Sequence, residues 1–242
     1  VRSRGLGDVY KRQADTLVET IEERMPWLAG LAEARLSTLG GRAMESLMYA
    51  YAKSEDKTKI AVLRAMRRFE TRTVNRYLSR LYRTAHSVSG DVKTELYRTL
   101  VHFGHDEAIV DIYSAITAGA ANEWHFEVIR DEKIEVLAPA LIDFITCVDN
   151  AFSAGRIYQH WLSGQIVGGR TKPGLCMDAL SAIGKPVIPL LLQKADACGK
   201  DQRAMITVTI LNMKDIRTDD LTKFKDVYGA GADEVINAVI EA

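Results

Sequence analysis

The sequence predicts an all-α protein built from stacked antiparallel helix pairs. Apolar residues recur at three- and four-residue spacings along most of the chain after residue 13, and candidate strands of alternating polarity are absent. A pattern of turn, helix, turn, helix is clearest over residues 89–116. A helix pair this short cannot bury its apolar faces alone, so similar pairs must stack on it to form an α-solenoid.

The clearest pair begins at Asp91, whose carboxylate can accept backbone N–H bonds in the first helical turn. Gly104 ends the first helix, and Asp106 and Glu107 start the second. One apolar face is expected in each helix: Leu96, Tyr97, Leu100, Val101 and Phe103 in the first, and Ile109, Val110, Ile112, Tyr113 and Ile116 in the second.

An earlier helix that opens at Asp56 has the same phase. Its apolar residues are Ile60, Leu63, Met66 and Phe69. The offset between the two helix starts, from residue 56 to residue 91, is 35 residues, which is the size of a two-helix repeat. We therefore expect these two helices to be equivalent members of successive pairs.

Further helices are predicted on either side of these pairs. Before residue 56 there are three: one that starts near Leu17 and ends at Pro26, one from Trp27 to Leu39, and one that contains Met44, Leu47, Met48 and Tyr51. Residues 132–145, with Pro139 inside the apolar pattern, are interpreted as a kinked helix paired with 149–162, and the alternative gives Asp131 the helix-opening role of Asp91. The loop 163–174 is expected to separate two blocks of repeats, and 219–228 with 233–240 to form a terminal pair.

Residues 182–213 contain a second clear copy of the pair. Ala182-Ile-Gly-Lys-Pro-Val-Ile-Pro-Leu-Leu-Leu-Gln193 supplies a first helix, and a second opens at Asp201 with Arg203 shortly after it. These features resemble HEAT repeats, particularly the short bacterial HEAT-like type first named in phycobilisome lyases, although Lys93 stands where arginine is usual in the copy at Asp91. The resemblance covers residues 42–242. It implies one HEAT-like α-solenoid domain over 14–242 and says almost nothing about activity.

The first thirteen residues are expected to be a non-native tail. Residues 3–13 resemble the translation of a transposase adapter used in sequencing libraries, so they are excluded from the fold prediction. This interpretation implies a gene from an environmental assembly whose true N-terminus is missing.

Composition indicates an ordinary soluble protein, which we expect in the cytoplasm. Hydrophobic residues make up 47% of the 242 positions, and no apolar run approaches the ~20 residues that span a bilayer. Lys+Arg and Asp+Glu are both 32, so the net charge does not point to nucleic acid or a membrane. The three cysteines, Cys147, Cys176 and Cys198, are far apart, which is typical of reduced thiols, and each is expected to be buried.

The most informative charged feature is a basic run. Nine Lys/Arg occur between Lys57 and Arg83 against one acid, Glu70. On a helix through 71–83, four arginines fall within about 80° of one another, opposite Val74 and Leu78. With Arg68 they form what we call the arginine ridge: Arg68, Arg72, Arg76, Arg80 and Arg83.

Two interpretations of the arginine ridge remain open. As a binding site it would hold phosphates or an acidic protein surface, because arginine forks match both bidentately. As a solvated face it would pair with acids of a neighbouring repeat, such as Glu95, Asp106 or Glu107.

Other candidate sites are weaker, and no catalytic residue, metal ligand or cofactor is predicted. His102, His105, Asp106 and Glu107 lie close in sequence, but Gly104 interrupts the helix and further ligands are not evident. The chain has no His-Glu dipeptide, which argues against a resemblance to HEAT-fold metal hydroxylases. Residues 164–171 imitate a phosphate loop without the required preceding strand.

The favoured hypothesis is a non-enzymatic scaffold that binds a protein partner through its concave or basic surface, with the arginine ridge as its main contact. The second hypothesis is a nucleic-acid binder that uses the same arginines on backbone phosphates. The third is a lyase or hydrolase with a pocket near Trp124 and Trp161.

Overall fold

The computed structural model describes residues 41–147 and 171–213, together with scattered positions between 12 and 39. Every regular element in this part of the chain is a helix, so the predicted all-α class is confirmed there. Of the predicted elements, the partner helix 149–162, the terminal pair after 218 and most of the chain before 41 lie outside the described residues.

Ten α-helices follow one another in the described ranges, with two short 3-10 turns between them. The helices are α1 (Gly41–Lys53), α2 (Asp56–Met66), α3 (Thr71–Tyr82), α4 (Gly90–His102), α5 (Asp106–Thr117), α6 (Glu123–Glu132), α7 (Ala138–Thr146), α8 (Lys172–Ile183), α9 (Ile188–Asp196) and α10 (Lys200–Leu211). The 3-10 turns are Glu135–Leu137, before α7, and Lys185–Val187, before α9.

The chain divides into two compact units, Val1–Val110 and Asp111–Ala242. In the first unit α1 packs on α2 and α3, and α4 packs on the same two helices. The predicted pairing joined the helices at Asp91 and Asp106. If α1 is instead paired with α2, and α3 with α4, the first helix of one pair lies on the first helix of the next, and the second helix lies on the second. The helices that open at Asp56 and Asp91, predicted to be equivalent, thus pack side by side.

Hydrogen bonds join the stacked helices of the first unit. The Tyr51 and Thr84 hydroxyls lie 3.1 Å apart, and link α1 to the end of α3. The buried Thr99 hydroxyl lies 3.4 Å from the Leu63 carbonyl and 2.9 Å from the Glu95 carbonyl of its own helix. These groups are at least half-buried and have limited access to water. Each contact therefore gives a polar atom a hydrogen-bond partner within the protein.

The buried faces of α1 to α4 follow the predicted spacing, except that Ile60 and Val101 are half-buried, and α5 departs from it. Met44, Leu47, Leu63, Leu96 and Leu100 are fully buried. On α5 the buried face is Ala108, Ile112 and Ile116, at a strict four-residue spacing. The predicted burial of Val110 and Tyr113 is wrong, because these side chains lie outside that buried stripe and are 59% and 49% exposed.

In the second unit α8 is the central helix, since it packs against α6, α7 and α10. The buried Cys176 thiol donates to the Leu141 carbonyl of α7 at 3.3 Å. The Ser181 hydroxyl donates to the Thr209 carbonyl of α10 at 2.8 Å. Helix α10 packs in addition on α7 and α9.

The predicted kink at Pro139 is wrong, because two separate elements occupy this segment. Helix α6 ends at Glu132, Lys133 adopts φ 50°, and Pro139 lies in the first turn of α7. The first turn suits proline because its missing N–H would have no partner within the helix there. Asp131 lies in the last turn of α6, so the alternative that made it a helix-opening residue is also wrong.

The first helix predicted over 182–193 begins later than expected. Ile183 ends α8, Gly184 follows with φ 85°, and α9 starts only at Ile188, after the 3-10 turn. A φ of this sign is easily adopted only by glycine, which explains the break. The second predicted helix is confirmed as α10, with Asp201 in its first turn.

Arg203 and Gln202 of α10 form hydrogen bonds with backbone groups at nearby helix ends. The Arg203 Nε–H donates to the Ala195 carbonyl of α9 at 3.0 Å. Gln202 accepts from the Gly199 N–H at 2.8 Å and donates to the Thr146 carbonyl at the end of α7 at 3.2 Å. These bonds satisfy terminal backbone groups that a helix leaves unpaired.

None of the helices in the described ranges has, by itself, both the length and the apolar character to cross a membrane. Lys172–Ile183 and Lys185–Asp196 reach that length and composition only as a pair, across a bend of 107°.

Candidate functional site

Helix α3 presents the arginine ridge as a charged stripe opposite a buried one. Val74 and Leu81 are fully buried and Leu78 is 5% exposed. Arg72, Arg76, Arg80 and Arg83 are all exposed. Arg68 is exposed too, but it follows the end of α2 and lies outside α3. The ridge on α3 itself therefore consists of Arg72, Arg76 and Arg80, about one per turn, and Arg83 directly follows the last residue of the helix.

Arg72, Arg76, Arg80 and Arg83 make few contacts with carboxylates in the described ranges. Arg72 Nε lies 2.9 Å from Glu70 Oε2, in a pair that is exposed on both sides and is therefore worth little. Arg83 Nε–H donates to the Ser79 carbonyl of its own helix at 3.2 Å. The Arg76 guanidinium lies 5.0 Å from the Tyr77 ring centroid. In residues 41–147 and 171–213, neither Arg76 nor Arg80 has a carboxylate within 4.0 Å.

The three acids expected to neutralise the ridge contact other residues or do not pair with it. Glu95 is 2% exposed and contacts three other arginines. Glu107 Oε2 lies 3.3 Å from the Nδ1 of His105, at an angle that forms no hydrogen bond. Asp106 is exposed and pairs with none of the ridge arginines described. The interpretation as a solvated face paired with these acids is therefore not supported by the contacts.

Glu95 is the centre of a charged cluster that joins α2 to α4. Arg67, which follows α2, hydrogen-bonds to Glu95 Oε1. Arg64 Nε and Arg98 Nη1 lie 3.3 Å and 3.5 Å from Glu95 Oε2. We call Glu95, Arg64, Arg67 and Arg98 the Glu95 cluster. It neutralises the carboxylate of a buried residue, which would be unfavourable alone.

Sequence reasoning missed this role, although a signal exists. Glu95 is three residues after Val92 and four before Thr99, so it lies on the same buried side of α4 as both. A carboxylate on a buried face requires a cationic partner, and Arg98 follows at the three-residue spacing that places it alongside.

The histidines near the start of α5 do not form a metal centre. His105 is buried and its ring lies 5.0 Å from that of Tyr82. His102 is exposed and its ring meets Phe103 edge-on at 5.0 Å. Nowhere in the described ranges do three His, Cys, Asp or Glu side chains come together in a way that could hold a metal ion.

The remaining sequence candidates that lie in the described ranges are at helix ends. His125 Nδ1 accepts the Asn122 N–H at 2.9 Å, which caps α6, and Trp124 stacks on the His125 ring at 3.6 Å. Trp161 lies outside the described residues, so the proposed pocket beside it has no structural test. Of residues 164–171, which resemble a phosphate loop in sequence, only Thr171 is described. Its hydroxyl accepts a hydrogen bond from the Gly174 N–H at the start of α8.

The cysteines differ in burial, and none is in a disulfide. Cys176 is fully buried, and burial raises the pKa of its thiol well above the ordinary value. Cys198 is half-buried, and burial also raises its pKa. Cys147 is exposed, so the expectation that every cysteine is buried is wrong there.

A perturbed carboxyl group lies in the second unit. Burial raises the pKa of Asp178 on α8 to about 6, although the positive charge of Arg130 on α6 opposes the shift. Arg130 itself bonds to Asp131, with Nε to Oδ1 at 2.8 Å. Asp178 is therefore half-buried near an arginine that is already occupied by another acid.

Comparison with known proteins identifies no relative: no protein-family model, no curated protein and no solved structure matches this chain.

Proposed function

We propose that this protein is a non-enzymatic, HEAT-like α-solenoid scaffold that binds an acidic protein partner through the arginine ridge. The observation that carries the proposal is the exposure of four arginines along one side of α3 and at its C-terminal end, with Arg76 and Arg80 facing no carboxylate in the described ranges. Like charges one turn apart on a helix repel one another. An anionic surface that covers the ridge would therefore offset this repulsion.

The packing of the first unit supports the solenoid part of the proposal. Two successive helix pairs stack first helix on first helix and second on second, which is the arrangement that repeat proteins propagate. Such stacking leaves one side of each helix in the outer layers free for a partner. In the proposed array the ridge is the outer side of α3.

The cytoplasm is the compartment that we propose for this scaffold. The three cysteines form no disulfide, and Cys147 keeps an exposed thiol. Such thiols persist in a reducing environment.

The experiment is a selection from a random-peptide display library against the immobilised full chain. We expect the selected peptides to be rich in Asp and Glu, and to lose at least about tenfold in affinity for the double variant Arg76→Glu, Arg80→Glu, because each bidentate arginine–carboxylate pair is among the stronger polar contacts. Selected peptides without an acidic bias, or with unchanged affinity for the double variant, would contradict the proposal.

A matched control separates local recognition from net charge. The double variant Lys57→Glu, Lys172→Glu makes the same change in net charge at two exposed positions that are not part of the ridge, and it should bind the selected peptides as the unmodified protein does. The melting temperature of the ridge variant should change little, because its side chains are exposed. If that variant unfolds, the arginines are structural and the proposal is wrong.

Nucleic acid is the second candidate, because the same arginines match backbone phosphates. Its signature is an affinity for a labelled single strand or duplex that falls steeply as salt is raised. Salt-sensitive oligonucleotide binding that the ridge variant abolishes, together with no selected acidic peptides, would favour this candidate over a protein partner.

A further inference from the structure

Helix α1 lies beside α3 and runs in the same direction. At the beginning of the two helices, a Cβ added to Gly41 would come within 3.1 Å of the Arg76 Nη2 atom and 4.0 Å of the Thr73 side chain. At their ends, the Tyr51 and Thr84 hydroxyls meet at 3.1 Å. Tyr49, two residues before Tyr51, therefore lies level with the last turn of α3, where Arg80 and Arg83 are found.

The outer side of α1 carries a large exposed aromatic residue. Tyr49 is 69% exposed, whereas Met48 and Ala50 on either side of it are buried. Glu45, one turn earlier on the same side, is exposed as well. Tyrosine and arginine are both enriched among the residues that dominate protein–protein binding energies, because each buries a large rigid surface and keeps a polar group for hydrogen bonding.

We propose that Tyr49 and the arginine ridge form one docking surface, and that its occupant is an acidic amphipathic helix of the partner protein. The carboxylates of that helix lie along the ridge, and one of its apolar side chains covers the Tyr49 ring. This inference rests on the proposed function, and it adds a specific anchor and a specific kind of partner.

The spacing of the ridge is the reason for choosing a helix. Arg72, Arg76, Arg80 and Arg83 recur about once per turn of α3, over a length of roughly 16 Å at 1.5 Å per residue. A second helix with Glu or Asp once per turn has the same repeat, so each carboxylate can meet one guanidinium along the whole ridge. An apolar residue beside this acidic row then faces α1 and Tyr49.

Glu45 argues for protein and against nucleic acid as the occupant. Its exposed carboxylate lies on the same side of α1 as Tyr49, and it would repel a phosphate backbone that followed the ridge. A protein helix can place a neutral or basic residue at that position. Sequence-independent binding of single strands also uses aromatic side chains for successive bases, whereas this face of α1 offers the single ring of Tyr49.

The test uses two labelled alanine-rich helical peptides and the full chain, with fluorescence anisotropy as the readout. Both peptides carry Glu at the ridge spacing of i, i+4, i+8 and i+11. One has leucine on the side that would face Tyr49, and the other has alanine there. We expect the leucine peptide to bind about tenfold more tightly, since an apolar contact in a protein interface is worth about 1–2 kcal/mol.

Variants of the protein identify which residues are responsible for the tighter binding of the leucine peptide. Tyr49→Ala should abolish the advantage of leucine over alanine, and Tyr49→Phe should retain it because the ring remains. Arg76→Glu with Arg80→Glu should abolish binding of both peptides. Circular dichroism melting confirms that each variant is folded, which we expect because all three positions are exposed.

Two results would overturn the inference, and they differ in what they say about the ridge. If both peptides bind equally well, lose affinity in the ridge variant and ignore Tyr49→Ala, the docking surface does not include Tyr49, but the proposed function stands. If neither peptide binds and a single-stranded oligonucleotide binds through Tyr49 and the ridge, both the acidic helix and the protein partner are wrong.

Discussion

The Glu95 cluster and the arginine ridge both include arginines from the same basic stretch, residues 57–83, yet these arginines have different surroundings. Arg64 and Arg67 contact a carboxylate that is 2% exposed, together with Arg98 from α4. Arg76 and Arg80, one helix later, face no carboxylate in the described ranges. The difference shows that a run of positive charge can contain a structural part and a surface part, and that the neighbouring helix decides which is which.

The largest expected effect in this comparison comes from Glu95. The change Glu95→Gln removes the negative charge that three arginines share inside the first unit, and breaking a buried ion pair by removing one partner typically costs about 3–5 kcal/mol. Urea denaturation should show this loss in the free energy of unfolding. The control Glu70→Gln removes the exposed partner of Arg72 and should cost less than about 1 kcal/mol. Equal losses in the two variants would contradict the distinction.

A second test compares one arginine from each group. Arg67→Gln should lower the free energy of unfolding by about 1–3 kcal/mol, because it removes a charge-assisted hydrogen bond to a buried acceptor while two other arginines remain. Arg76→Gln should stay within about 0.5 kcal/mol, as exposed substitutions generally do. Peptide binding should show the reverse order, with the greater loss in Arg76→Gln. If Arg76→Gln is the more destabilising change, the ridge has a structural role.

The smallest expected effect concerns Asp178. Its carboxyl group is half-buried, between the buried Glu95 and the exposed Glu70. Burial raises its pKa from an ordinary 3.8 to about 6, so the folded protein keeps this proton at pH values where the unfolded chain has lost it. The stability contributed by this group should therefore fall as pH rises from about 4 to about 6.

The variant Asp178→Asn isolates this contribution. It should be more stable than the unmodified protein above pH 6, by about 1 kcal/mol once partial solvent exposure is allowed for, and the gain should vanish near pH 4. Urea denaturation at several pH values measures the difference directly. If the stability advantage of Asp178→Asn instead grew as the pH fell, the predicted direction of the pH dependence would be wrong.

The sequence was sufficient for the helical class and for the buried faces of α1 to α4. Periodicity reports which side of a helix is apolar, and for α3 it placed Val74, Leu78 and Leu81 inside and the arginines outside. It failed on α5, where apolar residues occur on two sides and only packing decides between them. Val110 and Tyr113 therefore fit the spacing but remain exposed.

The candidate site was only partly predictable, for a related reason. The ridge follows from the spacing within one helix, whereas the absence of a facing carboxylate depends on which side of α4 is buried. Glu95 looked available to the ridge until its position beside Val92 and Thr99 was known. The helical spacing left Tyr49 off the apolar face of α1, but its position level with the ridge depends on how α1 lies against α3.

The prolines near the start of α7 and α9 occupy corresponding positions in two similar segments. Pro139 and Pro189 each follow a three-residue 3-10 turn, and each is the second residue of a nine-residue helix. Proline fixes where such a helix can begin, since its ring blocks extension toward the preceding residues. An inserted residue before either 3-10 turn would therefore lengthen the connection and leave Leu141 or Leu191 pointing into the core.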